Sequence, residues 1–465
     1  MKTMNTISQK CSGYLMIFCL LSAFSAPAWA GRSDDLGAKW TIMVYMNAKN
    51  NLECAALDNF ADMATVGSNA NVNLVAELGR PKQTYGCADD NPWSGVLRFH
   101  IKRGQRPVPE NAIGNDAVPS SRDLDMGSAE TLSDFVNWSM SKYPAKHYVL
   151  IIWNHGQGWR FQTALKRDDK LNAARGRALS KDFHSLAGTL GKMQSSVGGY
   201  RSVSFDEDSG NFLYNSDIEI SLKKLLKAQK LDVLGFDACL MAMLETAYAM
   251  RDVASVLVGS EELEPEAGWN YGDWLRKLNR NPAATDGKSL GKILIQSYQR
   301  EYRDRLRTTL SAVALDGAEA IADRLSELSD IMKQNLNTEL QTIRNARAGC
   351  QNYGKAAKVP MHNPVDLSCF LSNVSVVSSN DTLVRKASEV QHAIDSAIVA
   401  NYASSRIQEG YGSHGISIYF PSSKANYESD VPDNAGYVKG NQDHQVDFVE
   451  HQRWADFLSV YLARN

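Results

Sequence analysis

The sequence lacks the features that mark several large classes of protein. Its 50 Lys and Arg residues are balanced by 52 Asp and Glu residues, so no basic field of the kind that binds nucleic acid is present. No apolar run is long enough for a membrane-spanning helix, and no internal repeat indicates a solenoid. With 43% hydrophobic and 22% charged residues, the composition is that of a globular protein with a large core.

Residues 1–30 are typical of a cleavable secretory leader. Two lysines precede an apolar centre over residues 14–21, and small residues end at Ala30. An uncleaved anchor is the alternative, although the apolar centre is short for a bilayer span. Gly31 stands where a lipoprotein would have a cysteine. We therefore expect a secreted or periplasmic protein with no stable membrane span after the leader is removed.

Cysteine is scarce, and its count is informative. Once the leader is removed, an odd number remains: Cys54, Cys87, Cys239, Cys350 and Cys369. In an oxidising compartment this pattern favours paired cysteines and one free thiol. Cys350 and Cys369 flank a short loop, and Cys54 and Cys87 lie in one neighbourhood, so Cys239 is predicted to be free. The alternative is that all five are reduced.

Cys239 lies between a predicted strand and a predicted helix. An apolar run over residues 231–236 predicts a buried strand, and the apolar spacing over residues 240–248 predicts a helix. Open α/β sheets place their chemistry where a strand leads into a helix. Backbone N–H groups and the helix dipole would favour the thiolate of Cys239 there. The alternative is a buried cysteine that packs as a small hydrophobe.

A second predicted strand ends at a histidine. Residues 147–153 form a continuous apolar run, and His155 follows with Gly156 and Gly158 close behind. A histidine at a strand end is a candidate general base or acid, and the alternative is a histidine hydrogen-bonded in a turn. Together with Cys239 it supplies the imidazole and thiol of a cysteine hydrolase. A metal site on these two residues is disfavoured, because neighbouring His or Cys ligands are missing.

The remaining pattern predicts an α/β fold. Strand, helix and strand signals over residues 40–46, 52–66 and 72–78 form a βαβ unit, which implies a parallel sheet covered by helices. The pattern also predicts strands over 311–315 and 415–420, and helices over 318–346, 381–402 and 446–462. No linker is evident, so we expect residues 301–465 to complete or flank the same sheet.

Two predicted loops are charged, one of them basic and the other acidic. Residues 160–212 are rich in Lys and Arg and long for a structureless connection, which predicts a functional or mobile loop. A solvated surface excursion is the equally weighted alternative. Residues 260–271 are acidic, and Glu264 or Glu266 can select a cationic substrate group by charge pairing. An ordinary exposed acidic loop is the alternative.

Several of these motifs, in this order, resemble the clostripain family of cysteine peptidases. The matching stretches are residues 40–46 with Asn50-Asn-Leu-Glu53, and residues 128–159, 235–241, 264–271 and 415–421. The resemblance covers nearly the whole mature chain. It implies a caspase-like three-layer α/β/α sandwich with a mostly parallel central sheet, a catalytic domain over residues 31–300 and a C-terminal extension.

The resemblance also implies roles for particular residues. It implies an endopeptidase that cleaves after Arg, and also after Lys, through a thioacyl-enzyme. The matched positions are the dyad His155 and Cys239, the oxyanion glycine Gly156 and the pocket acid Asp237. Beyond the matched positions, we expect the N–H of Cys239 to be a second oxyanion donor, and Glu264, Glu266 and Trp269 to be further substrate-binding residues. One departure stands out: Ala267 precedes the Gly-Trp pair, where the family often has an acidic residue. A pocket with one carboxylate fewer would bind a cationic side chain less tightly.

Three further expectations concern maturation, cofactors and an alternative function. Family members are often matured by internal cleavage, and the basic segment 160–181 offers suitable bonds for self-cleavage. No cofactor is required, and calcium stays open because the chain has no Asp-rich loop with a recognisable ligand spacing. A catalytically silent binding or adhesion protein that keeps the fold is the alternative function, although retention of both dyad residues argues against it.

Overall fold

The computed structural model describes residues 37–90, 92–113, 124–159, 203–303, 305–354, 363–408, 411–430, 436–441 and 445–464. The predicted leader and residues 160–202 of the basic loop predicted over 160–212 lie outside these ranges. Residues 37–465 belong to one structural unit. Within the described ranges, no helix is both long and apolar enough to cross a membrane.

A single sheet runs through the middle of the structure. In chain order the strands are β1 (Ala38–Asn47), β2 (Val72–Arg80), β3 (Gly95–His100), β4 (Ala145–Trp153), β5 (Val203–Asp206), β6 (Asn211–Leu213), β7 (Leu231–Asp237), β8 (Ala254–Gly259), β9 (Thr309–Ala314), β10 (Pro364–Asp366), β11 (Ile398–Ala403) and β12 (Ser417–Tyr419). Eight of them form the main sheet in the order β11-β9-β8-β7-β4-β1-β2-β3. The five central strands are parallel, and the outer pairings are antiparallel.

Helices cover both faces of the sheet. They are α1 (Glu53–Val66), α2 (Ala129–Lys142), α3 (Asn215–Leu226), α4 (Leu244–Met250), α5 (Tyr271–Leu278), α6 (Gly287–Tyr302), α7 (Ala318–Gln334), α8 (Leu336–Ala348), α9 (Leu367–Val377), α10 (Asp381–Ala397), α11 (Ser405–Gln408), α12 (Lys424–Asp430), α13 (Asp447–His451) and α14 (Trp454–Leu462). Helices α1, α5 and α6 pack together in one layer, whereas α2, α3, α4 and α7 are linked by contacts in the other. The predicted α/β/α sandwich with a mostly parallel sheet is confirmed.

The central strands are apolar along their length because both of their faces are buried. In β4 every residue from Tyr148 to Trp153 is buried, as expected for a strand inside a parallel sheet. The helix before it begins at a capping residue, since the Ser128 side chain accepts a hydrogen bond from the N–H of Glu130. The strand that precedes His155 therefore lies inside a layer that is covered on both faces.

Several predicted boundaries in the C-terminal third were wrong. The helix expected over 381–402 ends at Ala397, and residues 398–403 form β11, paired antiparallel with β9. The helix expected over 318–346 is divided at Asn335 into α7 and α8, and the one over 446–462 is divided between α13 and α14. The strand expected over 415–420 is the short β12, which pairs with β10 in a separate small sheet. Tertiary pairing overrides local propensity at these positions.

Both predicted disulfides are present. Cys54 is bonded to Cys87, and Cys350 is bonded to Cys369. Cys239 is the free cysteine of the described residues, and it is buried. The prediction of two bridges and one free thiol is therefore confirmed.

Candidate active site

The register of two adjacent strands brings His155 and Cys239 to the same edge of the sheet. Trp153 of β4 lies opposite Asp237 of β7, and each candidate residue lies two positions further along its chain. The N–H of Asn154 donates to the carbonyl of Asp237 at 3.3 Å, which extends the contact beyond the strands. A Cβ atom on Gly156 would lie 2.4 Å from the Cys239 carbonyl oxygen, so the two loops touch through their backbones.

The His155 ring is buried and has one hydrogen-bond partner. Its Nε2 lies 2.9 Å from Oδ1 of Asn51, whereas its Nδ1 has no partner among the described residues. Burial lowers the pKa of His155 to about 4, so the ring is neutral near pH 7. Its carbonyl oxygen accepts a hydrogen bond from the N–H of Ser204 at 3.2 Å. The arrangement presents a neutral imidazole with one vacant nitrogen, which can accept a proton.

The thiol of Cys239 is buried against a neighbouring loop. Its Sγ accepts a hydrogen bond from the N–H of Glu264 at 3.2 Å and lies 4.0 Å from the Glu264 carbonyl oxygen. Within the described ranges it makes no hydrogen bond to His155. Burial raises the pKa of Cys239 to about 12, and the nearby acidic side chains add to this effect. The thiol is therefore protonated at neutral pH in this structure.

The expected stabilisation of a thiolate by a helix N-terminus was wrong. The helix after Cys239 begins only at Leu244, because residues 238–241 form a turn in which Leu240 has a φ of 63°. The N–H of Leu240 donates to the Glu262 carbonyl oxygen at 3.2 Å, which holds the turn against the 262–264 loop. This loop covers the sulfur and removes it from solvent.

An acidic cluster lies beside the thiol. Oδ2 of Asp237 accepts hydrogen bonds from the N–H of Trp269 at 3.2 Å and from the hydroxyl of Tyr271 at 2.9 Å. Oε2 of Glu264 accepts from the indole N–H of Trp269 at 3.2 Å. Burial raises the pKa of Asp237 to about 6 and raises the pKa of Glu264 well above its ordinary value. The neighbouring Asp237 carboxyl group adds to the rise in the pKa of Glu264.

Glycines allow this cluster to form. Gly268 has a φ of 63°, and a Cβ atom there would lie 2.9 Å from Oδ2 of Asp237. A Cβ atom on Gly235 would lie 2.8 Å from the ring of Trp269. Trp269 therefore packs against Asp237 and its strand, and its indole N–H donates a hydrogen bond to Glu264. Glu266 lies in the partly exposed turn between Glu264 and Trp269.

Comparison with known proteins decides the family. The family model described as the clostripain family matches residues 44–173 and 189–460. The chain belongs to the clostripain family. It is 25% identical over 435 residues to clostripain of Hathewaya histolytica, a match that covers 84% of this chain and 76% of that protein. Membership in this family makes it a cysteine peptidase.

Solved structures of the same family share its fold. One is an inactive zymogen C11 protease from Parabacteroides distasonis, with 16% identity, a TM-score of 0.56, and coverage of 83% of this chain and 92% of that one. Another is a secreted C11 cysteine protease from Bacteroides thetaiotaomicron in complex with an irreversible peptide inhibitor. It has 16% identity, a TM-score of 0.53, and coverage of 90% of this chain and 99% of that one.

Three features of this clostripain-family site were missed by sequence reasoning. Asn51 contacts the His155 ring, and Tyr271 contacts Asp237, yet both were seen only as members of motifs. The third feature is the hairpin of β5 and β6, whose Phe205 N–H donates to Oδ1 of Asn154 at 3.1 Å. Lys49 anchors this hairpin through Asp206 at 2.9 Å. No local pattern identifies such partners, because they come from distant segments.

A metal centre is not evident in the described part of the chain. No group of three or more His, Cys, Asp or Glu side chains there is arranged to hold an ion. The expectation about calcium remains untested.

Proposed function

We propose that this peptidase is an exported endopeptidase that cleaves peptide bonds after Arg, and also after Lys, with Cys239 as nucleophile and His155 as proton carrier. The observation that carries the proposal is the β4–β7 register, which sets His155, Cys239 and Asp237 at one edge of the sheet. Parallel sheets bind substrates at this edge. Export follows from the predicted leader over residues 1–30.

The chemistry begins with a proton transfer. The Cys239 thiol gives its proton to His155, and Sγ attacks the carbonyl carbon of the scissile bond. The backbone N–H groups of Gly156 and Cys239, which have no described hydrogen-bond acceptor, would receive the oxyanion. Collapse expels the amine, which takes the proton from His155, and water then hydrolyses the thioester. In this structure Sγ accepts a hydrogen bond from the backbone N–H of Glu264, so the Cys239 side chain must rotate toward His155 when substrate binds.

Specificity for a basic side chain rests on the acidic cluster. Asp237 is held by two donors, and the pKa of the neighbouring Glu264 is raised well above its ordinary value, which lowers the negative charge of the empty cluster. Oε1 of Glu264 is buried and has no described partner. A guanidinium group offers several N–H donors and one positive charge, which suits both the unpaired oxygen and the Asp237 carboxylate.

A panel of peptide reporters tests the proposal. Substrates ending in Arg, Lys, Asp or Asn before the reporter are incubated with the active protein and with Cys239→Ala. We expect hydrolysis after Arg and Lys only, and none by the variant. Cleavage after Asp or Asn would contradict the specificity. Absence of any cleavage, and of labelling by an Arg-directed reagent, would favour the silent binding protein.

A further inference from the structure

The Asn50-Asn-Leu-Glu53 motif lies next to the site, but the proposed chemistry gives it no role. Its second residue, Asn51, follows β1 and reaches His155, with 2.9 Å between Oδ1 and Nε2. This is the one described hydrogen bond of the His155 ring. The contact joins the ends of neighbouring parallel strands, β1 and β4.

The backbone around Asn51 is held from both sides. Asn50 accepts a hydrogen bond from the N–H of Leu52 at 2.9 Å and donates one to the carbonyl oxygen of Phe205 at 2.8 Å. Glu53 forms a buried ion pair with Arg80 at 2.8 Å. Next in the chain, Cys54 is bonded to Cys87. The Asn51 side chain therefore projects from a turn that is fixed before substrate binds.

The contact selects one tautomer of the ring. An amide oxygen can only accept a hydrogen bond, so Oδ1 of Asn51 requires a proton on Nε2 of His155. In the neutral ring Nδ1 then carries the lone pair. Nδ1 is the buried ring atom without a described partner. The opposite tautomer would set the Nε2 lone pair against the Asn51 oxygen and would leave a buried N–H unpaired.

We propose that Asn51 is a positioning residue that holds His155 as the Nε2–H tautomer, so that Nδ1 is the atom that exchanges protons with Cys239 and the leaving amine. This proposal rests on the proposed peptidase chemistry. The Sγ–H bond breaks and an Nδ1–H bond forms, which gives a thiolate and an imidazolium. Nε2 keeps its proton and its bond to Asn51 throughout. Nδ1 then returns its proton to the amine nitrogen as the C–N bond breaks, which restores the neutral ring.

Two substitutions at Asn51 separate positioning from folding. Asn51→Ala removes the acceptor, and we expect kcat on an Arg reporter to fall at least tenfold with KM changed less than about threefold, because general-base catalysis is worth roughly 10²–10⁴. Asn51→Asp keeps an acceptor at the same place and should recover most of the loss. Asn345→Ala, an exposed site on α8, serves as the matched control and should leave kcat unchanged.

A spectroscopic readout does not depend on turnover. In the Cys239→Ala background, ¹⁵N shifts of His155 should report a protonated Nε2 and an unprotonated Nδ1, and adding Asn51→Ala should give a mixture of tautomers. An Nδ1–H tautomer, or shifts that do not respond to Asn51, would overturn the proposal, as would an unchanged kcat in Asn51→Ala. If no reporter is cleaved at all, the proposed function fails, and the tautomer measurement still decides the role of Asn51.

Discussion

The main-chain N–H of Glu264 donates a hydrogen bond to Sγ of Cys239 at 3.2 Å. The same residue places its side chain beside Asp237, in the cluster proposed to bind a basic substrate side chain. One residue thus contacts both the nucleophile and the specificity cluster. A cation that enters the cluster would act on Glu264 and, through its backbone, on the sulfur. In the described part of the chain, the buried thiol and the buried imidazole have separate hydrogen-bond partners and are not bonded to each other.

The first prediction concerns the reactivity of this thiol. We expect iodoacetamide to alkylate Cys239 at pH 7.5 more than a hundredfold more slowly in the folded protein than in the unfolded protein, because burial raises the pKa of Cys239 to about 12 and an unfolded cysteine has a pKa of about 8.5. Mass spectrometry of the mature chain over time measures the rate. The four other described cysteines are disulfide-bonded and do not compete. Equal rates in the two states would contradict the prediction.

A second prediction separates the two acids of the cluster. Asp237→Asn should lower kcat/KM on Arg reporters more than a hundredfold, since loss of a buried ionic partner costs about 3–5 kcal/mol. Glu264→Gln should lower it by less than about tenfold, because burial raises the pKa of Glu264 well above its ordinary value and an amide oxygen can accept the same hydrogen bond from Trp269. Measurements on Arg and neutral reporters provide the comparison. Equal losses on both substrates in Asp237→Asn would remove its role in specificity.

The third prediction is a pH dependence of binding. Burial raises the pKa of Asp237 to about 6, and burial together with the neighbouring Asp237 raises the pKa of Glu264 well above its ordinary value. A cationic inhibitor such as benzamidine needs ionised Asp237, so its affinity should weaken about tenfold for each pH unit below 6 and level off above it. The effect of pH on stability has the opposite direction. Because the pKa of Asp237 is higher in the folded protein than in the unfolded protein, protonation of Asp237 stabilises the fold at low pH, and this contribution is lost as the pH rises through 6. Calorimetric titration measures the affinity, and Asp237→Asn should show a flat profile.

A fourth prediction concerns the anchor of the β5–β6 hairpin. The ammonium group of Lys49 is buried 2.9 Å from Asp206 and 3.5 Å from the more exposed Asp208. Lys49→Met should lower the free energy of unfolding by about 3–5 kcal/mol, because Asp206 would lose its buried cation. Asp208→Asn should cost less than about 1 kcal/mol. Urea denaturation compares the two variants, and similar losses in both would rule out the anchor at Asp206.

A fifth prediction addresses self-cleavage within residues 160–181. The active protein should become nicked there, and Cys239→Ala should stay intact without other proteases. Neither disulfide crosses the cut, because residues 54 and 87 lie before it and residues 350 and 369 lie after it. The two fragments should separate on a non-reducing denaturing gel yet elute together in native buffer, held by the β4–β7 pairing. Identical nicking of Cys239→Ala would contradict self-cleavage.

The sequence predicted the central strands and the strand-end residues well, for a physical reason. β4 and β7 are buried on both faces, so their apolar runs are continuous and their ends are sharp. β11 was mistaken for the end of a helix, because Ile398 and Val399 alone indicate a strand and its pairing with β9 is remote in sequence. Edge strands depend on such partners more than on local pattern.

The protonated state of the thiol could not be predicted from its local sequence. The cover over Cys239 comes from Glu264, which is distant in the chain, and a turn with Leu240 at positive φ delays the helix. The contact between Asn51 and His155 could not be predicted either, because the two residues are far apart in the chain. An asparagine after a strand is common in turns and gives no periodic signal. Residue identity gave the chemistry, but burial and partners come only from tertiary packing.

The alignment of Trp153 with Asp237 limits how this enzyme can change over evolutionary time. Side chains alternate between the two faces of a sheet, so inserting or deleting one residue within either strand would turn every later side chain to the opposite face. Such a change before His155 or Cys239 would separate the imidazole from the sulfur even with both residues retained. We therefore expect length differences among homologues to fall in the connecting segments and to be absent from the C-terminal halves of strands β4 and β7.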